Sequence, residues 1–481
     1  MGRRANEIAA EIEALVTSGQ LAPGAGLPPL RDLALDLGVN PNTVAAAYRV
    51  LRERGVIETA GRRGSRVLPR PALTPRDYSP LDIPPGVRDL ADGNPDARLL
   101  PDPAPALAAA GRGPDPQAGR YGGPDLDPRL LALARRSFAA DGLPVDAIGI
   151  ASGSLDAQER IFQAWLRPGD AVAVEDPGWG SLFDLLPALG LRLQPMPVDD
   201  EGPTVAGLRH ALDAGVRAVV LTARAQNPTG ASLGEGRAAA LRALLAEHPD
   251  VLLVEDDHGH GIVDGPYHSL CGDGGSRTGG GEEEAPGGRT APEDGEGARG
   301  GDTAGGGGER GERGGGGSTV RHWAVIRSVA KSLGPDLRIA VIAGDRDTID
   351  RVRGRQRLGA GWVSHLLQRT AAGLWAAYDP APSAASYRKR REALVDALAV
   401  RGVLAHGRSG LCVWVPVPDE TAAFAGLMQR GWAVSPGARF RLETPPGLRL
   451  TVSTLDLDEI PRLADDVAAV LRRRGDSVRG V

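Results

Sequence analysis

Lysine is almost missing from this chain: of 56 basic residues only Lys331 and Lys389 are lysines. Chemistry that needs a side-chain primary amine therefore has two candidates. Cysteine is equally scarce, and Cys271 and Cys412 by themselves exclude a disulfide framework or a cysteine-based metal cluster. No apolar run approaches the roughly 18 residues that a membrane helix needs. The opening MGRRANEIAAEIEALV has no apolar core segment or cleavage site of a secretory leader. A cytoplasmic protein is the expectation. With 481 residues, the chain exceeds one compact core and fits two or three domains.

Glycine and proline are plentiful, 67 and 39 residues, enough to imply a stretch that does not fold. That stretch is 272–318, built from Gly, Glu, Arg and Ser with almost no large apolar residue, and it reads as a disordered insertion. Net charge is −5, unevenly spread: residues 1–70 carry ten Arg against seven acids, or +3, leaving −8 for the rest. This favours a nucleic-acid-binding head on an acidic body.

Punctuation along residues 1–70 supports the head. ANEIAAEIEALVTS (5–18) sets Ile8, Ile12, Leu15 and Val16 on one helical face. LRDLALDL (30–37) is a short amphipathic helix ending at Gly38. PNTVAAAYRVLRERG (41–55) has Pro in its first turn and Gly at its end. VIETAGRRGSRVLP (56–69) reads as a ribbon around a Gly-Arg-Arg-Gly tip. Three helices and a hairpin make a winged helix-turn-helix, whose second motif helix enters the major groove. Asn40, Asn42 and Thr43 stand at the start of that helix, Arg31 and Arg49 are placed for phosphates, and Arg62 and Arg63 at the wing tip for the minor groove. A dimerisation or docking module is the alternative for such a bundle. LAPGAGLPPLRDLALDLGVNPNTVAAAYRVLRERGVIE resembles the winged helix of GntR-type bacterial regulators, with Pro41 and Ala45 where relatives often carry basic residues.

Residues 71–88 are Pro-rich and read as a linker. Beyond them strand-like runs, DAVAVEDP (170–177), RAVVLTAR (217–224) and DVLLVEDD (250–257), alternate with helical stretches. This predicts an α/β domain with a mostly parallel sheet over 89–384, followed by a C-terminal α+β subdomain over 385–475.

Four pieces in this body suit pyridoxal phosphate. ASGSLDAQE (151–159) is a strand-to-helix turn whose backbone N–H groups, around Gly153 and Ser154, suit a phosphate. VEDPGWG sets Trp179 after a strand, where a ring stacks on a flat cofactor. LVEDDHG ends a buried strand in acids. SVAKSLGPDLR offers Ser328, Lys331 and Arg338. The cofactor needs an amine for its Schiff base, an acid for its pyridine nitrogen, phosphate donors and an aromatic lid. Lys389 lies in the basic helix SYRKRRE, which leaves Lys331 as the Schiff-base lysine.

The region 89–475 resembles fold-type-I aminotransferases, with RAQNPTG (224–230) as the loop that implies Asn227 on the cofactor's phenolic oxygen. The resemblance further implies Asp256 at the pyridine nitrogen, Ser328 and Arg338 at phosphate, and Arg449 in GLRLTVSTL on a substrate carboxylate. It also implies Tyr121 reaching a neighbouring subunit's phosphate. His258 departs from the family, where tyrosine is usual; an imidazole there could still bond the phenolic oxygen. Head, linker and body together resemble MocR-type regulators, in a PtsJ-like branch. That implies a homodimeric regulator that binds a double-stranded DNA operator. Its body would sense pyridoxal phosphate, with or without a small amine or amino acid, to control vitamin B6 or amino-acid metabolism genes. A working aminotransferase carrying a DNA-binding head is the alternative.

Overall fold

The computed structural model describes residues 5–17, 20–22, 24–53, 56–59, 64–67, 76, 81–112, 120–271 and 320–472. The wing-tip residues Arg62 and Arg63, half of the 71–88 linker and the 272–318 insertion lie outside the described residues.

The head comprises α1 (Ala5–Thr17), α2 (Leu30–Asp36), α3 (Pro41–Glu53) and an antiparallel ribbon of β1 (Ile57–Thr59) and β2 (Ser65–Val67). Its core draws Ile8 and Ile12 from α1, Ala34 from α2, Val44, Ala47, Tyr48 and Leu51 from α3, and Ile57 and Val67 from the ribbon. Leu15, expected on the buried face of α1, is 38% exposed. The Tyr48 hydroxyl donates to the Pro28 carbonyl at 2.9 Å and so pins the α1–α2 connector to α3. Gly38, at φ 63°, makes the tight turn between α2 and α3.

In the body, β3 (Arg88–Asp89) precedes β4 (Ala147–Ala151), β5 (Ala171–Asp176), β6 (Arg192–Asp199), β7 (Gly202–Pro203), β8 (Ala218–Leu221), β9 (Leu252–Asp257), β10 (Trp323–Ser328) and β11 (Ala340–Gly344). Strands β4 to β11 form one sheet in the order β4-β11-β10-β9-β8-β5-β6-β7. It is parallel except for β11 and the short edge strand β7, as the alternating sequence pattern predicts. The helices of this domain are α4 (Ala104–Gly111), α5 (Pro128–Ala140), α6 (Ser154–Trp165), α7 (Gly180–Ala188), α8 (Val205–Asp213), α9 (Glu235–Ala246), α10 (Arg346–Arg357) and α11 (His365–Ala377).

Strand residues alternate between two cores. Val172, Val174, Val220, Leu252, Val254 and Ile326 face α6, α7 and α10. Their neighbours Ala173, Val219, Leu221, Leu253 and Val325 face α5, α8, α9 and α11. A sheet covered on both sides must be apolar at nearly every position, and these strands are.

The C-terminal subdomain holds α12 (Ala381–Val400), β12 (Cys412–Pro416), α13 (Glu420–Gln429), β13 (Trp432–Ala433), β14 (Ser435–Pro436), β15 (Gly447–Thr451) and α14 (Ile460–Arg472). Strand β3 pairs with β13 of this subdomain, and Leu90 is buried in its core. Residues 88–90, divided by the sequence between linker and large domain, thus pack with the C-terminal part. The sequence signalled no partner for so short a strand.

Candidate functional site

One edge of the sheet gathers the singled-out residues. Parallel strands β5, β8, β9 and β10 lead from their carboxyl ends into Trp179, Asn227, His258 and Lys331 respectively. Antiparallel β11 begins at that edge just after Arg338, and β4 ends there just before Gly153. Open α/β sheets bind ligands along this edge.

Strand alternation decides what the Asp256–Asp257 pair does. Asp256 shares the α6 side with Leu252 and Val254. Its Oδ1 accepts from the Ser154 hydroxyl at 2.9 Å and its Oδ2 from the Gln158 amide at 3.1 Å. Burial, reinforced by the Asp257 charge, pushes its carboxyl up to about 7 against these two bonds. Asp257 faces the opposite side, where Arg224 meets it through two bonds of 2.8 Å and Arg327 through one of 2.9 Å. Burial alone would raise Asp257; the two guanidiniums hold it far below the usual carboxylate range. Arg327 reaches on to Ser137 Oγ at 2.6 Å and to Asp141, both near the end of α5. Pattern reading missed this network, although the alternation of a doubly buried strand implies that adjacent acids part to opposite faces.

At the start of α6, Gly153 has φ 99° and Arg338 lies against it in the left-handed conformation, φ 50°. A Cβ at Gly153 would stand 2.6 Å from Arg338 Nη2. The same nitrogen donates to the Ser152 carbonyl at 3.1 Å. A helix N-terminus, a glycine and an arginine thus form an anion cradle. Ser154 turns its hydroxyl to Asp256, so its contribution to this cradle is the backbone N–H. Ser328 is buried, and its Oγ accepts from the Ala330 N–H at 3.2 Å.

Lys331 donates to the Gly93 carbonyl. Arg449, also buried, donates to the Ala91 carbonyl and, at 3.1 Å, to Asn227 Oδ1. Its guanidinium lies over the Phe440 ring, 4.6 Å from the centroid, and its Nε has no hydrogen-bond partner. The loop bearing Phe440 is fastened by Asp176, whose carboxylate accepts from the N–H groups of Leu442, Glu443 and Thr444 at 2.7–2.9 Å. Burial and then the Lys331 ammonium push His258 down to about 4, so its imidazole is neutral at pH 7. Trp179 precedes α7 and is half-buried against the α6–α7 core. Gln158, Asp176 and the 91–93 backbone were not singled out by sequence, because each acts only through a partner distant in the chain. Tyr121 stands apart, 94% exposed and edge-on to Trp362 at 5.3 Å.

In the head, Arg31, Asn42 and Arg49 are exposed and Thr43 is half-exposed, near the start of α3 or on the helices beside it. Asn40 serves partly as a cap, its side-chain oxygen accepting from the Asn42 N–H at 2.9 Å.

Fold and site together define a winged-helix DNA reader joined to an aminotransferase-type body. Residues 4–67 match the profile of bacterial regulatory proteins of the gntR family, and residues 86–278 and 302–467 that of aminotransferase class I and II. The break between the two aminotransferase segments falls within the 272–318 insertion. The chain is 36% identical, over 98% of its length and 99% of the relative's, to the vitamin B6 salvage pathway transcriptional repressor PtsJ of Salmonella typhimurium. It is 30% identical to the pyridoxine biosynthesis transcriptional regulator PdxR of Corynebacterium glutamicum, over 52% of this chain and 55% of that one. Among solved structures, a multiple substrate aminotransferase from Thermococcus profundus superposes with a TM-score of 0.64 at 19% identity, over 82% of this chain and 93% of that one. The chain belongs to the MocR-type transcription regulators of the GntR superfamily, in which a DNA-binding winged helix is fused to an aminotransferase class I and II domain. No helix among the described residues is long and apolar enough to cross a membrane.

Proposed function

We propose that this regulator binds pyridoxal phosphate in its body and uses occupancy of that site to control how two heads engage a DNA operator. The observation that carries the reading is Lys331, the body's one lysine at the ligand edge of the sheet, within electrostatic reach of His258 and Cys412. The cofactor supplies an aldehyde for imine formation and a ring that accepts electrons. The chain's own residues do the rest. Lys331 offers the amine, and the Gly153–Arg338 cradle with Ser328 suits the phosphate. Asp256 holds a proton or a charge where a pyridine nitrogen needs a partner. Asn227 and the neutral His258 offer hydrogen bonds on the phenolic side, and Trp179 offers a ring face. Arg449, with its unmatched Nε, suits the carboxylate of an amino acid.

The regulated genes belong to vitamin B6 metabolism, a reading supported by the functions named for the PtsJ and PdxR relatives. The protein works in the cytoplasm as a homodimer. Tyr121, Leu107, Leu358 and Leu366 are exposed apolar side chains that a second copy would cover.

Visible absorption on adding pyridoxal phosphate tests the site. Wild type should develop a yellow band that Lys331→Ala lacks, while Lys331→Ala still binds DNA selected by the full chain from a random pool. A band of equal strength in Lys331→Ala removes the role of Lys331. DNA affinity that responds to pyridoxal phosphate equally in both proteins removes covalent capture as the trigger. The aminotransferase reading is favoured by the complete set of Lys331, Asp256, Asn227 and Arg449; steady release of a keto acid from an amino acid would establish it.

A further inference from the structure

Behind the Lys331 segment, on the α5 side of the sheet, lies a cavity of about 250 Å³ that includes none of the residues assigned to the cofactor above. That is smaller than the ~300–1,000 Å³ of sites for drug-sized ligands, so its occupant is a small molecule. Three polar side chains lining it lack hydrogen-bond partners among the described residues: the Ser332 hydroxyl, the His260 ring and the Trp375 indole N–H. Ser332 is only 2% exposed, and its hydroxyl lines this half-open cavity. The aromatic wall is built by His260 and Trp375, with ring centroids 5.2 Å apart, and by Tyr378, whose hydroxyl is committed to the Gly261 carbonyl at 3.0 Å.

Charge restricts the ligand further. The charged residues at this cavity, Arg224 and Asp141, belong to the network in which two arginines, Arg224 and Arg327, already face two aspartates, Asp257 and Asp141. An ion entering here would find no uncompensated counter-charge and would lose its hydration. The three unmatched groups are neutral, His260 because burial and the nearby arginines push it down to about 3.

We infer that this cavity is a second small-molecule site, which takes an uncharged planar ring carrying a hydrogen-bonding group such as an amide or hydroxyl. The ring packs against Trp375 and Tyr378, and the polar group satisfies Ser332 and His260. Ser332 follows Lys331 directly, and Arg224 opens the loop that carries Asn227, so the ligand touches the back of both segments. It would act as an effector of the regulator from outside the cofactor site.

The test uses the full chain without pyridoxal phosphate, so its outcome is separate from that of the cofactor reading. Saturation-transfer NMR titrations compare benzamide, benzoate and benzylamine, which have one ring and three charges. The expected result is saturable benzamide binding, with benzoate and benzylamine weaker by roughly tenfold or more. Ala140→Trp, at an exposed position at the end of α5 that lines the cavity, should weaken benzamide by a similar factor. Ser332→Ala should weaken it several-fold, with the far-UV spectrum unchanged. Absence of saturable benzamide binding overturns the proposal, as does equal binding of the three probes. Wild-type affinity in both Ala140→Trp and Ser332→Ala overturns it too, because benzamide would then bind elsewhere.

Discussion

Replacing Asp257 by alanine should do more damage than any surface change in the body. Asp257 and Arg327 are 0% exposed and Arg224 is 5% exposed. The substitution deletes three charge-assisted bonds of 2.8–2.9 Å and leaves two buried guanidiniums to share Asp141. Removing one partner from a buried ion network costs about 3–5 kcal/mol, because the surviving charge remains out of water. Set against a total stability of roughly 5–15 kcal/mol, this is a large fraction.

Urea unfolding followed by tryptophan fluorescence measures the loss. All seven tryptophans lie between Trp165 and Trp432, so the signal reports the body and not the head. With a denaturant slope on the order of 3 kcal/mol per molar, the midpoint should fall by about 1–2 M. Asp250→Ala is the control: its pair with Arg321 spans the same 2.8 Å, but the two side chains are 70% and 69% exposed. Such a pair contributes at most about 1 kcal/mol, a shift near 0.3 M. A midpoint change in Asp257→Ala no larger than in the control would refute the argument that burial makes this network energetically dominant.

Three further outcomes are expected. Asp256 binds its proton more tightly folded than unfolded, up to about 7 against an ordinary 3.8, so its contribution to stability falls as pH rises through that window. Cofactor-free Asp256→Asn should therefore gain on wild type between pH 4 and pH 8 by up to about 4 kcal/mol, as read by urea midpoints at each pH; a pH-independent difference contradicts the burial argument. Gly153→Ala forces a side chain into φ 99° and against Arg338, at a cost of about 1–3 kcal/mol, and should weaken pyridoxal phosphate binding roughly tenfold or more in absorbance titrations. Arg49→Ala should weaken DNA binding evenly across sequences and reduce the salt slope by about 1, whereas Asn42→Ala should relax base preference; fluorescence anisotropy at several salt concentrations separates them.

Local signals made much of the molecule legible in advance. Helix punctuation by Pro41, Gly38 and the apolar spacing of Ile8 and Ile12 marked the head, because caps and periodicity act within one or two turns. Continuous apolar runs marked doubly covered strands, and turn residues after them marked the ligand edge. The scarcity of lysine isolates Lys331 from sequence alone. These are properties of neighbouring residues, and a sequence determines them directly.

Tertiary structure alone decided which distant groups meet. Ser154, expected at a phosphate, donates to Asp256; Asp176 fastens a loop more than 260 residues away; residues 88–90 join the C-terminal subdomain. Asp256 and Asp257 are chemically identical neighbours, yet one is pushed up to about 7 and the other is held far below its usual range. The difference is the face of the sheet on which each lies and what the other helices bring there: hydroxyl and amide from α6 on one side, two arginines on the other. Burial and charge pairing are properties of the packed assembly, so they came into being only when the strands took their order in the sheet.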